Sequence, residues 1–275
     1  MYRKILTIQD ISCVGQCSLT VALPIISACG IETAILPSAV LSTHTAGFSG
    51  FTFRDLTDDM EGICAHWEKE NIKFDGIYTG YLGSEEQIEL VKSIVKRTLK
   101  DNAPLIVDPA MADNGKLYPA FDLAYANKMK SLCAIADYLI PNLTEACFLT
   151  GVEYRNEYDQ DYISKVVDGL LSLGAKTVVL TGVSYRKDKT GVLVADKSNA
   201  YYYEHDKLPN SCHGTGDIYA SAFVGALTRG KTAQESARIS ADYTVACIRE
   251  TAKHENHWYG ASFEPVLPSL IKSLE

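Results

Sequence analysis

Grouped positive charge is the first thing this chain lacks: 26 Lys and Arg stand against 34 Asp and Glu, for a formal charge of -8. Neutralising a nucleic-acid backbone needs clustered Lys and Arg, so a nucleic-acid partner is excluded. There is also no run of about 18 apolar residues, which a membrane span would need. The start, Met1 to Asp10, turns polar too soon for the apolar part of a signal peptide, so the expectation is a cytoplasmic protein without a membrane partner. The 8 cysteines are scattered, with no CxxC pair and no Cys/His zinc spacing. This argues against a disulfide framework or a structural metal, and most of them are expected to be small buried hydrophobes. No repeat, low-complexity tract or Pro/Gly/Ser linker divides the chain. Its 275 residues, 47% hydrophobic, suffice for one large domain over residues 1–275.

What is present is alternation. Short β-branched runs at Lys4 to Gln9, Thr33 to Leu36, Gly76 to Thr79, Leu105 to Val107, Tyr138 to Ile140 and Thr177 to Leu180 are separated by longer segments of helical period. The clearest helices are Glu85 to Lys100, Asp159 to Leu173 and Thr232 to Glu250. This pattern predicts an α/β fold with a mostly parallel central sheet flanked by helices. Gly191 to Ala195 and Ala200 to Tyr203 are expected to add an antiparallel hairpin at the sheet edge. In open parallel sheets ligands bind beyond the carboxyl ends of strands. Asp10, Thr79-Gly80-Tyr81, Asp108-Pro109, Pro141-Asn142 and Thr181-Gly182 are expected there.

Two glycine motifs compete for a phosphate role. Gly225-Ala226-Leu227-Thr228-Arg229-Gly230-Lys231-Thr232 matches the P-loop pattern, but a P-loop follows a strand and opens a helix. This string begins inside the apolar helical stretch Ile218 to Leu227. Gly230 sits where a glycine ends a helix, and Thr232 to Glu235 reads as a capping box that starts the next one. Just upstream, Gly214-Thr215-Gly216-Asp217 leads from a polar turn directly into that apolar helix. The first turn of a helix offers unpaired N–H groups and partial positive charge, so this segment suits phosphate oxygens. Asp217 then reads either as a plain first-turn acid or as a base for an attacking hydroxyl, with the helix dipole expected to keep it ionised.

With these motifs in order, the chain resembles the ribokinase-like superfamily and, within it, the pyridoxal/pyridoxamine (vitamin B6) kinase family. The pieces are Ile8-Gln9-Asp10, Ser42-Thr43-His44-Thr45, Thr79-Gly80-Tyr81, Val107-Asp108-Pro109, Ile140-Pro141-Asn142 with Glu145, Val179-Leu180-Thr181 and the GTGD string. The resemblance implies a three-layer αβα kinase that moves the ATP γ-phosphoryl group to the 5′-hydroxymethyl of a B6 vitamer. It implies Asp217 as base and Gly214, Thr215 and Gly216 as anion hole. Asp10, His44, Thr45 and Tyr81 fall in the substrate pocket, and Asp108, Asn142, Glu145 and Thr181 on the nucleotide side. Asp108 and Glu145 match positions near Mg²⁺, whose hard oxygen ligands they resemble. A monovalent cation stays open, because Ile140 stands where some members place Thr. A homodimer is the assembly the resemblance implies.

Simpler readings stand beside these. Asp108-Pro109 can end a strand, Asn142 can make an Asx turn, and Glu145 can be a first-turn helix acid. Many family members carry Ser where this chain has Asp10, so the pocket gains a carboxylate suited to a protonated nitrogen or a hydroxyl donor. Hydroxymethylpyrimidine kinase is the nearest rival activity, although that group often carries Cys at the position of Asp217. A ligand-binding regulator without catalysis is the rival from another class. Cys212 reads as a packing thiol, His213 as a pocket neighbour, and His254 to His257 as having no metal role.

Overall fold

A computed structural model describes residues 2–209 and 212–275; Asn210 and Ser211, which begin the stretch before the GTGD string, lie outside it. The strands are β1 (Lys4–Ser12), β2 (Glu32–Leu41), β3 (Phe53–Asp55), β4 (Gly76–Thr79), β5 (Leu105–Val107), β6 (Ala112–Asp113), β7 (Lys116–Leu117), β8 (Tyr138–Leu139), β9 (Thr177–Val183), β10 (Lys189–Ala195) and β11 (Ala200–Asp206). The helices are α1 (Leu19–Ala28), α2 (Thr57–Lys69), α3 (Glu85–Thr98), α4 (Leu123–Cys133), α5 (Leu143–Thr150), α6 (Gln160–Leu173), α7 (Thr215–Thr228), α8 (Ala233–Thr251) and α9 (Leu267–Ser273).

Nine strands form one sheet in the order β11-β10-β9-β8-β5-β4-β1-β2-β3, while β6 and β7 make a separate small hairpin. Pairing is parallel from β9 through β2, and β3, β10 and β11 run antiparallel at the two edges. Alternate residues of each strand serve opposite faces. Leu6, Ile8, Ile77 and Val107 pack with α2 to α6, whereas Ile5, Tyr78, Ile106 and Val179 pack with α1, α7, α8 and α9. The result is the expected three-layer αβα arrangement.

Local chemistry explains the helix limits. Ser84 and Asp159 cap α3 and α6 by accepting from Gln87 N and Tyr162 N. The P-loop look-alike proves to be a helix junction: α7 ends at Thr228, Gly230 has φ 94°, and Thr232 and Glu235 form the capping box of α8.

Several boundaries differ from the sequence expectation. Strand β1 continues to Ser12, so Asp10 lies inside it, where β2 carries one extra residue between the Gln9–Pro37 and Ile11–Val40 pairs. That bulge re-aims side chains at the pocket edge. Likewise β9 runs to Val183 and contains Thr181, and α7 begins at Thr215 instead of Ile218. The hairpin β6–β7, turned by Asn114 and Gly115 with φ of 51° and 76°, was not expected.

Candidate active site

Helix α7 opens at Gly214, whose φ of 77° favours glycine. A Cβ there would lie 1.8 Å from Gln16 O, so only glycine lets this turn press against the β1–α1 loop. Among the described residues no side chain caps this helix end. A Cβ on Gly216 would meet nothing within 4 Å, which leaves open space beside the N–H groups of the first turn. An uncapped helix start facing open space is a ready anion site.

Asp217 is the third residue of α7. Its carboxyl is raised to about 7, first by burial, then by Asp108, with Asp10 adding to the rise and the Ser18 amide opposing it. Burial and the neighbouring carboxylates thus work against the helix dipole that was expected to keep Asp217 ionised. Asp108, at the end of β5, is also raised to about 7 by burial, against the N–H of Ala110, which donates to its Oδ1 at 3.0 Å.

Glu145 is 3% exposed. Its Oε2 accepts from Asn142 N at 2.9 Å and its Oε1 from Met111 N at 3.0 Å. Asn142 Oδ1 accepts in return from Glu145 N at 2.9 Å, and its Nδ2 donates to Ala112 O at 2.8 Å. Together these make a full capping box for α5 that also ties down the segment after β5. Burial and Asp108 hold the Glu145 carboxyl well above the ordinary range despite these amides.

Of the residues expected to face a substrate, Asp10 is buried; Ser12 donates to its Oδ2 at 2.9 Å, and burial raises its pKa. Tyr81 is half-buried, lies tilted against Phe121 with ring centroids 5.3 Å apart, and is pushed up to about 12 by burial and then by Asp10. His44 is buried with both ring nitrogens engaged. Nδ1 accepts from Ala46 N at 3.1 Å, so Nε2 carries the proton donated to Tyr259 O at 2.6 Å. Its ring packs edge-on against Phe48 with centroids 5.0 Å apart, and Thr45, the next residue, is exposed. His213 is exposed, with its ring 5.7 Å from that of His44, and Cys212 is half-buried.

Thr181 pairs with Asn142 as an isolated bridge and lines a cavity of about 310 Å³ with Asn142, Thr144, Tyr154, Arg155, Tyr158 and Lys207. The sequence reading missed Arg155 and Lys207 as neighbours of this cleft, and Ser18 as a partner of Asp217. Asp113-Asn114-Gly115 was a readable turn signal, and Asn142 to Glu145 a readable capping box. Nothing local pointed to Ser18.

Among the described residues there is no cluster of three or more side chains set to ligate a metal. No basic side chain is among the groups acting on Asp108, Glu145 or Asp217, while Asp108 raises both of the others. Carboxyls gathered without a basic partner among the described residues fit a cation such as Mg²⁺, which is held by one or two carboxylates with waters and phosphate oxygens and would favour their ionised form.

A parallel α/β sheet with an anion-binding helix start and an acid in its first turn defines a phosphotransferase-type site. The family described as phosphomethylpyrimidine kinase matches residues 26–262. A pyridoxal kinase of Dictyostelium discoideum is 30% identical over 84% of this chain and 80% of its own length. Among solved structures, a candidate phosphomethylpyrimidine kinase of Bacteroides thetaiotaomicron, in a form with pyridoxal, is similar with a TM-score of 0.92 at 34% identity, covering 98% and 96% of the two chains. Pyridoxal kinase of Lactobacillus plantarum has a TM-score of 0.90 at 30% identity, covering 98% and 97%. The chain belongs to this ribokinase-like family of pyridoxal and phosphomethylpyrimidine kinases, and it is a kinase.

Proposed function

We propose that this enzyme transfers the γ-phosphoryl group of ATP to the 5′-hydroxymethyl of pyridoxal, pyridoxamine or pyridoxine. The observation that carries the reading is the uncapped start of α7 with Asp217, raised to about 7, in its first turn. A base poised near neutral pH can accept the hydroxyl proton as the oxygen attacks phosphorus. The N–H groups of Gly214 to Gly216 then hold the oxygens of the transferred group, where charge develops. Asp10 and Tyr81 hold the ring on one side; Thr181 and Asn142 border the nucleotide on the other. Asp108 and Glu145 would hold Mg²⁺, which would supply neutralisation of phosphate charge; Glu145 is fixed for that place by the amides of Asn142 and Met111, which donate to its Oε2 and Oε1.

The relatives named pyridoxal kinase support the vitamer as substrate. A hydroxymethylpyrimidine substrate is the second reading, supported by the family description and by a Streptomyces coelicolor relative of that activity at 26% identity. ADP release measured with Mg²⁺, ATP and each alcohol in turn separates them: turnover of a B6 vitamer above the pyrimidine is expected, and the reverse order overturns the assignment. A working homodimer in the cytoplasm completes the proposal. The open edge strand β3, with Phe53 50% exposed, is a surface such pairing would cover.

A further inference from the structure

Among the described residues, several polar side chains are buried in and around the layer between the sheet and α7. There Gln9, Tyr78 and Ser221 are each 0% exposed. Thr7 and Tyr78 are register partners in β1 and β4, so Thr7, Gln9 and Tyr78 share the face that packs on α7. Ser221 lies one helical turn beyond Asp217 on α7. Gln9 is oriented by its Nε2, which donates to Thr7 Oγ1 at 2.8 Å, and its Oε1 points at Gly80, where a Cβ would come within 2.6 Å of it.

The oxygen atoms of these three side chains have no hydrogen-bond partner among the described residues. Ser221 and Gln9 are nevertheless the two side chains near enough to influence the Tyr78 phenol by hydrogen bonding, and Asp108 and Asp217 both act on it. A buried oxygen left unpaired keeps its desolvation cost uncompensated, so three together call for a shared partner. A buried water is held by two to four polar groups, and this trio supplies three. Water can donate to Gln9 Oε1 and exchange hydrogen bonds with the two hydroxyls, which both donate and accept.

We infer that Gln9, Tyr78 and Ser221 hold one ordered water behind the first turns of α7, and that this bridge positions Asp217 against the substrate hydroxyl. Tyr78 and Ser221 touch no reactant; they act through Asp217. The inference rests on the reading of Asp217 as the base, and its test has an arm independent of turnover. A crystal structure of the wild-type enzyme is expected to show a water within about 3.2 Å of all three oxygens. Direct contacts closing the trio without water would overturn it. In crystals of Tyr78→Phe the carboxylate of Asp217 is expected to shift; an unmoved carboxylate counts against the positioning role even if the vitamer assignment fails. With an active substrate, Tyr78→Phe and Ser221→Ala should each lower kcat about ten-fold while KM for ATP and alcohol stays within about two-fold. Lower thermal stability with unchanged kcat would make the trio structural only and overturn the role. Ser221→Ala serves as the second variant should Tyr78→Phe fail to fold.

Discussion

Helices α5 and α7 both begin beside a strand end and both carry an acid as their third residue, yet their starts are built to opposite purposes. At α5, Asn142 and Glu145 satisfy each other's backbone and the acid is spent on amide groups. At α7 the N-cap is Gly214, no described side chain closes the turn, and Asp217 reaches toward the Ser18 amide of another loop. A closed N-terminus stabilises its helix; an open one keeps N–H groups and a carboxyl available to a ligand. Position within the helix therefore does not decide an acid's role. What decides it is whether the residue at the N-cap has a side chain that reaches back.

The comparison predicts effects of very different size. Asp217→Asn should lower kcat by about two to four orders of magnitude, with ATP affinity in calorimetry nearly unchanged; near-normal turnover would dismiss it as the base. Gly214→Ala should cost about 1–3 kcal/mol of stability from its left-handed backbone, and weaken nucleotide binding as well, because the new Cβ must displace Gln16. Denaturant titration and calorimetry read the two losses separately. An alanine tolerated without either would mean that the α7 start is not constrained as described.

A pH test follows from the raised carboxyls. Asp217 and Asp108 move from 3.8 to about 7, so in mildly acidic solution the folded protein keeps protons that the unfolded chain has released. Their contribution to stability is fully present below the unfolded value and is lost as pH rises through about 7. The ligand-free enzyme should lose stability between about pH 4 and about pH 7 through these groups, and Asp217→Asn should flatten that slope in denaturation midpoints. The smallest effects are at the closed starts. Asn142→Ala and Thr232→Ala should each cost about 0.5–2 kcal/mol. The first should also raise KM for ATP, because Asn142 lines the cleft; the second should leave kinetics unchanged.

Much of this was legible before any fold was known. The alternation of strands and helices predicted the three layers, and the Gly225 to Thr232 string was read correctly as a helix junction because helix stop and start signals are local. The spacing of Asn142 and Glu145 carried a capping signal as plain as that of Thr232 and Glu235, though only the latter was read. His44 illustrates the other limit. Its sequence neighbours suggested a ligand contact, while its Nε2 proton is taken by Tyr259, a distant residue brought alongside by the fold.

By itself the sequence determined the αβα layering, the approximate limits of α3, α6 and α8, and the presence of a glycine turn ending in Asp217. These depend on periodicity and on contacts within a few residues. Only the tertiary structure decided what that acid is. Its proton affinity comes from burial and from Asp108 on a different strand, and the need for Gly214 comes from the Gln16 carbonyl on a different loop. Desolvation and steric exclusion arise between segments that meet only when the chain is folded, so no local pattern encodes them.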